Sequence, residues 1–231
     1  MSYKLQIIYE DEWIVVINKP QGLLVHRSSI ARNTDEYALQ ILRNQLGYYV
    51  YPIHRLDRKT SGILMFAKEA EFVKHFQEIL SHGNTLKTYF AIVRGFFPDE
   101  IDLNYPLRNS KGRIQEAETY FRCLKKVEID IPSGNFQTSR YSLITAQPKT
   151  GRMHQIRKHL NHLRHPIIGD RPHGCNKQNK LFLEKWGIKE MFLHAENLSF
   201  MHPFLKKNLD IKAERPEIFR QITEKLGLLE N

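Results

Sequence analysis

Two cysteines in 231 residues, Cys123 and Cys175, lie too far apart for a thiolate metal site and are too few for a disulfide framework. A reducing compartment, the cytoplasm, is the simplest expectation. No run of 18 apolar residues occurs, so no membrane-spanning helix is expected. The opening stretch MSYKLQIIYEDEW has no signal-peptide pattern and passes directly into strand-like sequence. There is no GxGxxG, and neither RKTSG nor PKTGR carries the glycines of a phosphate loop, so no nucleotide cofactor is expected. The HxE and PCxxC signature of a zinc deaminase is missing. Carboxylates are dispersed, where a glycosidase needs a facing pair. Ser61 sits in TSG and not in the GxSxG elbow of a serine hydrolase, so Thr60, Ser61 and Gly62 read as a turn entering a strand. No linker and no internal repeat divides the chain.

What the chain does have is positive charge. Lys and Arg number 35 against 25 Asp and Glu, a formal net charge of +10. That excess fits a polyanionic partner such as nucleic acid, and fits a merely basic soluble enzyme as well. Hydrophobic residues at 41% and charged residues at 26% are ordinary for a folded protein, so most of the chain is expected to fold.

Apolar runs at Leu5 to Tyr9 and Trp13 to Ile17 flank an Asp11–Glu12 turn, and Lys19–Pro20–Gln21–Gly22 forms a second turn before a third strand ending near His26. Asn33, with Glu36 three residues on, predicts the cap of a helix carrying Leu39, Ile41, Leu42 and Leu46 and ending at Gly47. ILMFAK reads as a buried strand, EAEFVKHFQEILSHG as a helix ending at Gly83, and KTYFAIVRG as a strand. EAETYFRCLKKVEID and TSRYSLITAQP are rich in β-branched and aromatic residues and read as strands. RMHQIRKHLNHLRHP reads as a helix stopped by Pro166, with Met153, Ile156, Leu160 and Leu163 as its buried stripe. MFLHA and LSFMH follow as two short strands, and a last helix starts at Pro216. The pattern predicts an α+β fold with a large mixed, mainly antiparallel sheet and flanking helices.

Two sets of residues are candidates for chemistry. His154, His159, His162 and His165 lie on or near one predicted helix, and His159 and His162 could share a metal. Arg157, Lys158 and Arg164 crowd that helix and would repel a dication, so no metal site is expected. The second candidate is Asp57, a single acid among Arg55, Arg58 and Lys59, just before an apolar strand. As an ordinary surface acid it would form weak ion pairs. As a functional one it is held ionised by its neighbours, can act as a nucleophile, and is presented from a surface that attracts phosphates.

The stretch HRLDRKTSG at 54–62 resembles the aspartate motif of the RluA-type pseudouridine synthases. NKPQGLLVH at 18–26, KTYFAIVRG at 87–95, TGRMHQIRKHL at 150–160, HPIIGD at 165–170 and LHAENLSFMHP at 193–203 resemble further motifs of that family, in order along the chain. Met153 departs from the pattern, where Thr or Ser is common. The resemblance implies the pseudouridine synthase fold with a central cleft, and a single catalytic domain over 1–231 without an S4-like RNA-binding domain. It implies roles as well: Asp57 as the catalytic aspartate, Tyr89 as the tyrosine that packs on the target base, and Arg157 as the basic residue that pairs with the aspartate. Arg55 corresponds to the arginine that enters the RNA stack when the base leaves. Sequence geometry alone leaves Arg157 and Arg164 equivalent and allows Tyr89 to be a core tyrosine. Arg58, Lys59, Arg152 and Lys158 are candidate RNA contacts. HRSSIARN and the region from IIGD through HG to Asn179 resemble a tRNA-directed group that modifies a uridine in the T-stem, position 65. The reaction implied is an isomerisation that needs no cofactor, carried out by a monomer on tRNA. An rRNA-directed synthase, or an inactive RNA-binding module on the same fold, are the alternatives.

Overall fold

The computed structural model describes residues 4–26, 36–81 and 84–229. The predicted cap at Asn33, most of HRSSIARN and the predicted helix end at Gly83 lie outside the described residues. The chain divides into two compact units. The first comprises residues 1–87 and 195–215, and the second comprises 88–194 and 216–231.

The first 81 residues supply β1 (Gln6–Glu10), β2 (Ile14–Lys19), α1 (Ala38–Leu46), β3 (Tyr51–Pro52), β4 (Ser61–Ala67) and α2 (Phe72–Ser81). Asp11 makes the expected first turn, its Oδ1 accepting the Trp13 and Ile14 N–H groups at 2.8 Å. Gly22, at φ 83°, closes the second turn. The third expected strand is a single parallel bridge between Leu24 and Tyr37. α1 starts after Tyr37, which caps it with no side chain, and stops at Gly47, whose φ of 80° is left-handed.

The chain then enters β5 (Leu86–Arg94), β6 (Glu100–Asn104), β7 (Leu107–Arg108), β8 (Ile114–Gln115), β9 (Glu118–Ile129), β10 (Ser139–Pro148), α3 (Gln155–His162) and α4 (Asn176–Trp186). It returns through β11 (Leu193–Met201) and β12 (Asn208–Lys212) and ends on α5 (Glu217–Lys225). β11 is continuous where the sequence predicted two short strands, because Glu196 and Asn197 continue the extended backbone from Leu193 to Met201. α3 is shorter than expected at both ends. His154 and Arg164 take left-handed backbone angles, φ 57° and 63°, which a helix interior does not tolerate. Met153 therefore precedes the helix and is 49% exposed, while Ile156 and Leu160 are buried as expected.

In the first unit the strands run β1-β2-β4-β11, with β3 also on β4 and β12 on β11. β1 with β2, β2 with β4, β3 with β4 and β11 with β12 are antiparallel. Every residue of β4 is buried, so the strand reads as a continuous apolar run. Its core joins Ile14, Val16, Ile63, Met65 and Phe76 to Leu198, Phe200 and Ile211 from the returning chain. In the second unit the order β5-β10-β9-β6 is antiparallel throughout. One core cluster there holds Phe182 of α4 and Phe219 and Ile222 of α5 against Ile92 and Leu143. Another holds Ile156 and Leu160 of α3 against Ala91, Phe121 and Ile144. The α+β expectation with mainly antiparallel strands holds.

Candidate active site

In the first unit, the loop carrying Asp57 is fixed at both ends before it becomes β4. The Ile53 N–H donates to the Met65 carbonyl at 3.1 Å, and the Met65 N–H donates to His54 Nε2 at 3.1 Å. A ring nitrogen that accepts a backbone N–H carries no proton of its own. Burial, with the Lys87 charge nearby, pushes the His54 pKa down to about 4. Beyond the aspartate, the Thr60 N–H donates to the Asp57 carbonyl at 3.1 Å. Leu56 and Thr60 are buried on either side of the acid, and Asp57 itself is half-buried.

The loop is also tied to the second turn. The Gly22 N–H donates to the Arg58 carbonyl at 2.9 Å, and Arg58 Nε donates back to the Gly22 carbonyl at 2.8 Å. Lys19 completes the tie from below. Its side chain is fully buried, and Nζ donates to the carbonyls of Pro20 (2.8 Å), Leu23 (3.0 Å) and Arg58 (3.3 Å). Three acceptors match the three N–H groups of an ammonium. Burial pulls the Lys19 pKa down to about 7, and the Asp57 charge opposes that shift. Nothing local in NKPQG marks Lys19 as a buried cation near Asp57, although the stretch lies within a segment that resembles the family.

At the entry to β4, Gly62 has φ 111°, and a Cβ there would lie 2.1 Å from the Ala195 carbonyl oxygen. Only glycine lets the chain turn out of the aspartate loop this close to β11.

The second unit holds Tyr89 and Arg157. Tyr89 lies on β5 opposite Ala146 of β10 and is half-buried at the edge of an apolar cluster. Arg157 and Arg164, equivalent on a helical wheel, differ in the structure. Arg164 is exposed beyond the helix, whereas Arg157 is buried on α3. The Arg157 guanidinium grips Asp170 with two hydrogen bonds, Nε to Oδ2 at 2.7 Å and NH2 to Oδ1 at 2.8 Å. Burial would raise the Asp170 pKa, but the Arg157 fork outweighs it and holds the carboxyl below the usual range. Asp170 closes HPIIGD, so its motif was visible in the sequence while its role was not.

α3 is anchored at its start by buried Gln155. Its Nε2 donates to the Glu118 carbonyl and to Thr119 Oγ1, both at 2.9 Å, and its Oε1 accepts the Arg152 N–H at 3.0 Å. His159 directs its ring nitrogens to Thr119 Oγ1 and the Tyr105 carbonyl, each at 3.0 Å, and His162 stacks on the Tyr105 ring at 3.7 Å. The two histidines weighed as a metal pair thus have other contacts. No group of three metal-ligating side chains occurs among the described residues.

The expected RNA contacts divide between the units. Arg55 and Arg58 are exposed and Lys59 is half-buried in the aspartate loop. Arg152 donates from Nε to the Glu116 carbonyl at 2.8 Å, and Lys158 donates to the Arg108 carbonyl at 3.0 Å. Both side chains therefore also hold the segment that carries the β7–β8 hairpin.

Residues 13–162 match the family described as RNA pseudouridylate synthase. The chain is 42% identical over 238 residues to a Vibrio cholerae protein named tRNA pseudouridine synthase C, covering 98% of each chain. It is 39% identical to the Haemophilus influenzae protein of the same name, over 96% of this chain and 98% of that one. Among solved structures, human RNA Pseudouridylate Synthase Domain Containing 4 superposes with a TM-score of 0.73 at 23% identity, over 96% of this chain and 93% of that one. Human RNA Pseudouridylate Synthase Domain Containing 1 gives the same TM-score at 20% identity, over 100% and 98%. Those two likenesses show the fold, and the family match together with the full-length relatives shows more: the chain belongs to the RNA pseudouridylate synthase family.

Proposed function

We propose that this chain isomerises uridine to pseudouridine in tRNA, at a T-stem uridine (position 65), acting in the cytoplasm as a monomer and a single catalytic domain. The observation that carries pseudouridine formation in tRNA is the 42% identity over 98% of both chains to a protein named tRNA pseudouridine synthase C. The reaction breaks the bond from N1 of uracil to C1′ and makes one from C5 to C1′. The proton leaves C5 and N1 gains one, so no atom is gained or lost and nothing is oxidised.

The target base first leaves its stem, which costs a few kcal/mol. Arg55, exposed on the aspartate loop, fills the space left in the stack. Asp57 supplies the carboxylate, which attacks C6 of the base or C1′ of the sugar or assists elimination at the sugar. Arg157, whose guanidinium is hydrogen-bonded to Asp170, is the basic residue that supports the reaction. Tyr89 packs on the base and takes the C5 proton. Arg58, Lys59, Arg152 and Lys158 contact phosphates.

The test maps pseudouridine in tRNA and rRNA from cells with and without the gene, complemented by the parent or by Asp57→Asn. Loss of a single T-stem pseudouridine, restored by the parent and not by the variant, is expected. A change confined to rRNA would overturn the substrate. Substantial pseudouridine formation by Asp57→Asn would overturn the role of the aspartate.

A further inference from the structure

His173 stands in the DRPHG stretch after Asp170, and no step above uses it. His154 Nδ1 and His173 Nε2 are 2.9 Å apart, with the rings edge to face at 5.1 Å between centroids. His154 is the residue from which α3 starts, and it holds a left-handed backbone, φ 57° and ψ 30°. A residue with a Cβ takes that conformation only against steric repulsion, so the surrounding contacts must hold it there. The turn that bears His173 is itself tight. The His173 N–H points to Asp170 Oδ1 at 3.3 Å, and a Cβ on Gly174 would lie 1.7 Å from the Asp170 carbonyl oxygen.

Two pairs of residues, each three apart, therefore face each other: His154 and Arg157 on α3, and His173 and Asp170 on the turn. The ion pair grips the helix at one point and the imidazole pair grips it one turn earlier. We propose that His173 is a positioning residue, which through His154 and Asp170 holds the first turn of α3 and so aims the Arg157 guanidinium. The proposal deepens the reading in which Arg157 serves catalysis and rests on it.

The chemistry of the clamp sets its pH behaviour. Two imidazoles joined nitrogen to nitrogen keep their hydrogen bond when neutral, and keep it with one added proton. With two added protons both nitrogens are donors and the bond is lost. The charged groups facing His173 are Asp170 on its own turn and Arg157, His154 and Lys158 from α3. Burial, Arg157, His154 and Lys158 lower its pKa, and Asp170 opposes them. The clamp is thus intact at neutral pH and opens on the acid side of the ordinary imidazole range.

His173→Gln and His173→Phe separate the hydrogen bond from the packing. Gln keeps a donor that does not titrate, and Phe keeps only the ring. With a T-stem hairpin as substrate, the Phe variant should lose about ten- to a hundredfold in kcat with KM changed less than about twofold. The Gln variant should recover most of kcat and lose the acid limb of the parent's pH profile. A second readout needs no RNA: the Arg157 Nε–H resonance in the free protein. It should be slowly exchanging in the parent and in Gln, broadened in Phe, and lost on acidification only in the parent. A Phe variant with parental kcat, or with a parental Arg157 resonance, would overturn the clamp. If the Phe variant does not fold, persistence of the parental acid transition in the Gln variant overturns it. Failure of the parent on tRNA would sink the proposed substrate and leave the resonance measurement to decide the clamp.

Discussion

Arg157 and Asp170 bury an ion pair whose side chains keep 6% and 1% of their surface exposed. Breaking such a pair on one side leaves a charge with no solvent to answer it, at about 3–5 kcal/mol. Arg157→Met should therefore destabilise the fold as well as stop turnover, and the two effects can be pulled apart. Arg157→Met combined with Asp170→Leu removes both charges, so melting should recover most of the lost stability while activity stays absent. Recovered activity in the double variant would show that the guanidinium acts only through packing. At this scale the sequence was informative about identity and poor on partners. HRLDRKTSG pointed to Asp57, and the motif around Arg157 preferred it to Arg164, which the structure leaves exposed. Lys19 and Asp170 escaped notice because each is meaningful only through contacts far along the chain. Lys19 reaches 39 residues to the Arg58 carbonyl, and Asp170 reaches 13 residues back to Arg157.

At the level of elements, the turn from the aspartate loop into β4 depends on Gly62, which pairs with Lys19 of β2 on one side and lies under Ala195 on the other. Gly62→Ala demands a left-handed angle from a residue with a Cβ and drives that carbon into a backbone oxygen. A loss of at least about 1–3 kcal/mol in denaturant unfolding is expected, with turnover falling further than stability because Asp57 sits five residues upstream. An unchanged midpoint and rate would mean that β4 and β11 separate freely at that point. Long, strongly patterned elements were legible: β2, β4, β9, β10 and α5 appear where alternation, apolar runs or Pro216 placed them. α4 was not anticipated, because NKQNKLFLEKW offers a charged surface with only Gln178 and Phe182 buried, too thin a stripe to read. The start of α3 was misjudged for a different reason. Nothing local in RMHQ signals a left-handed histidine, and the ring that His154 contacts, His173, lies 19 residues away.

For the whole molecule, charge and histidine set the response to conditions. The net charge of +10 predicts RNA affinity that falls steeply with salt, since each phosphate contact releases a counterion. Lys158→Ala should flatten the slope of log K against log salt by about one unit, and Arg55→Ala should lower single-turnover rate more than affinity. Identical behaviour of the two variants would remove the distinct role given to Arg55. Stability should depend on pH in a definite sense. His54, His159, His173 and His202 all have pKa values below the ordinary one, His54 down to about 4, with burial the largest cause for each. Below about pH 6.5 the unfolded chain then binds more protons than the folded one, so stability is complete above that value and is lost as pH falls toward 4. Denaturant midpoints measured from about pH 7.5 to about pH 5 should decline, and a flat profile would contradict the burial of these rings. The order in which the units are encoded has a consequence for synthesis. The first unit takes Leu198, Phe200, Ile211 and Ala213 of its core from residues 195–215. As the chain leaves the ribosome, residues 1–87 must wait without those side chains until all of 88–194 has been made. The second unit lacks only α5 and the chain end by then, so the half that carries Asp57 emerges first and matures late, dependent in that interval on whatever shelters nascent apolar strands.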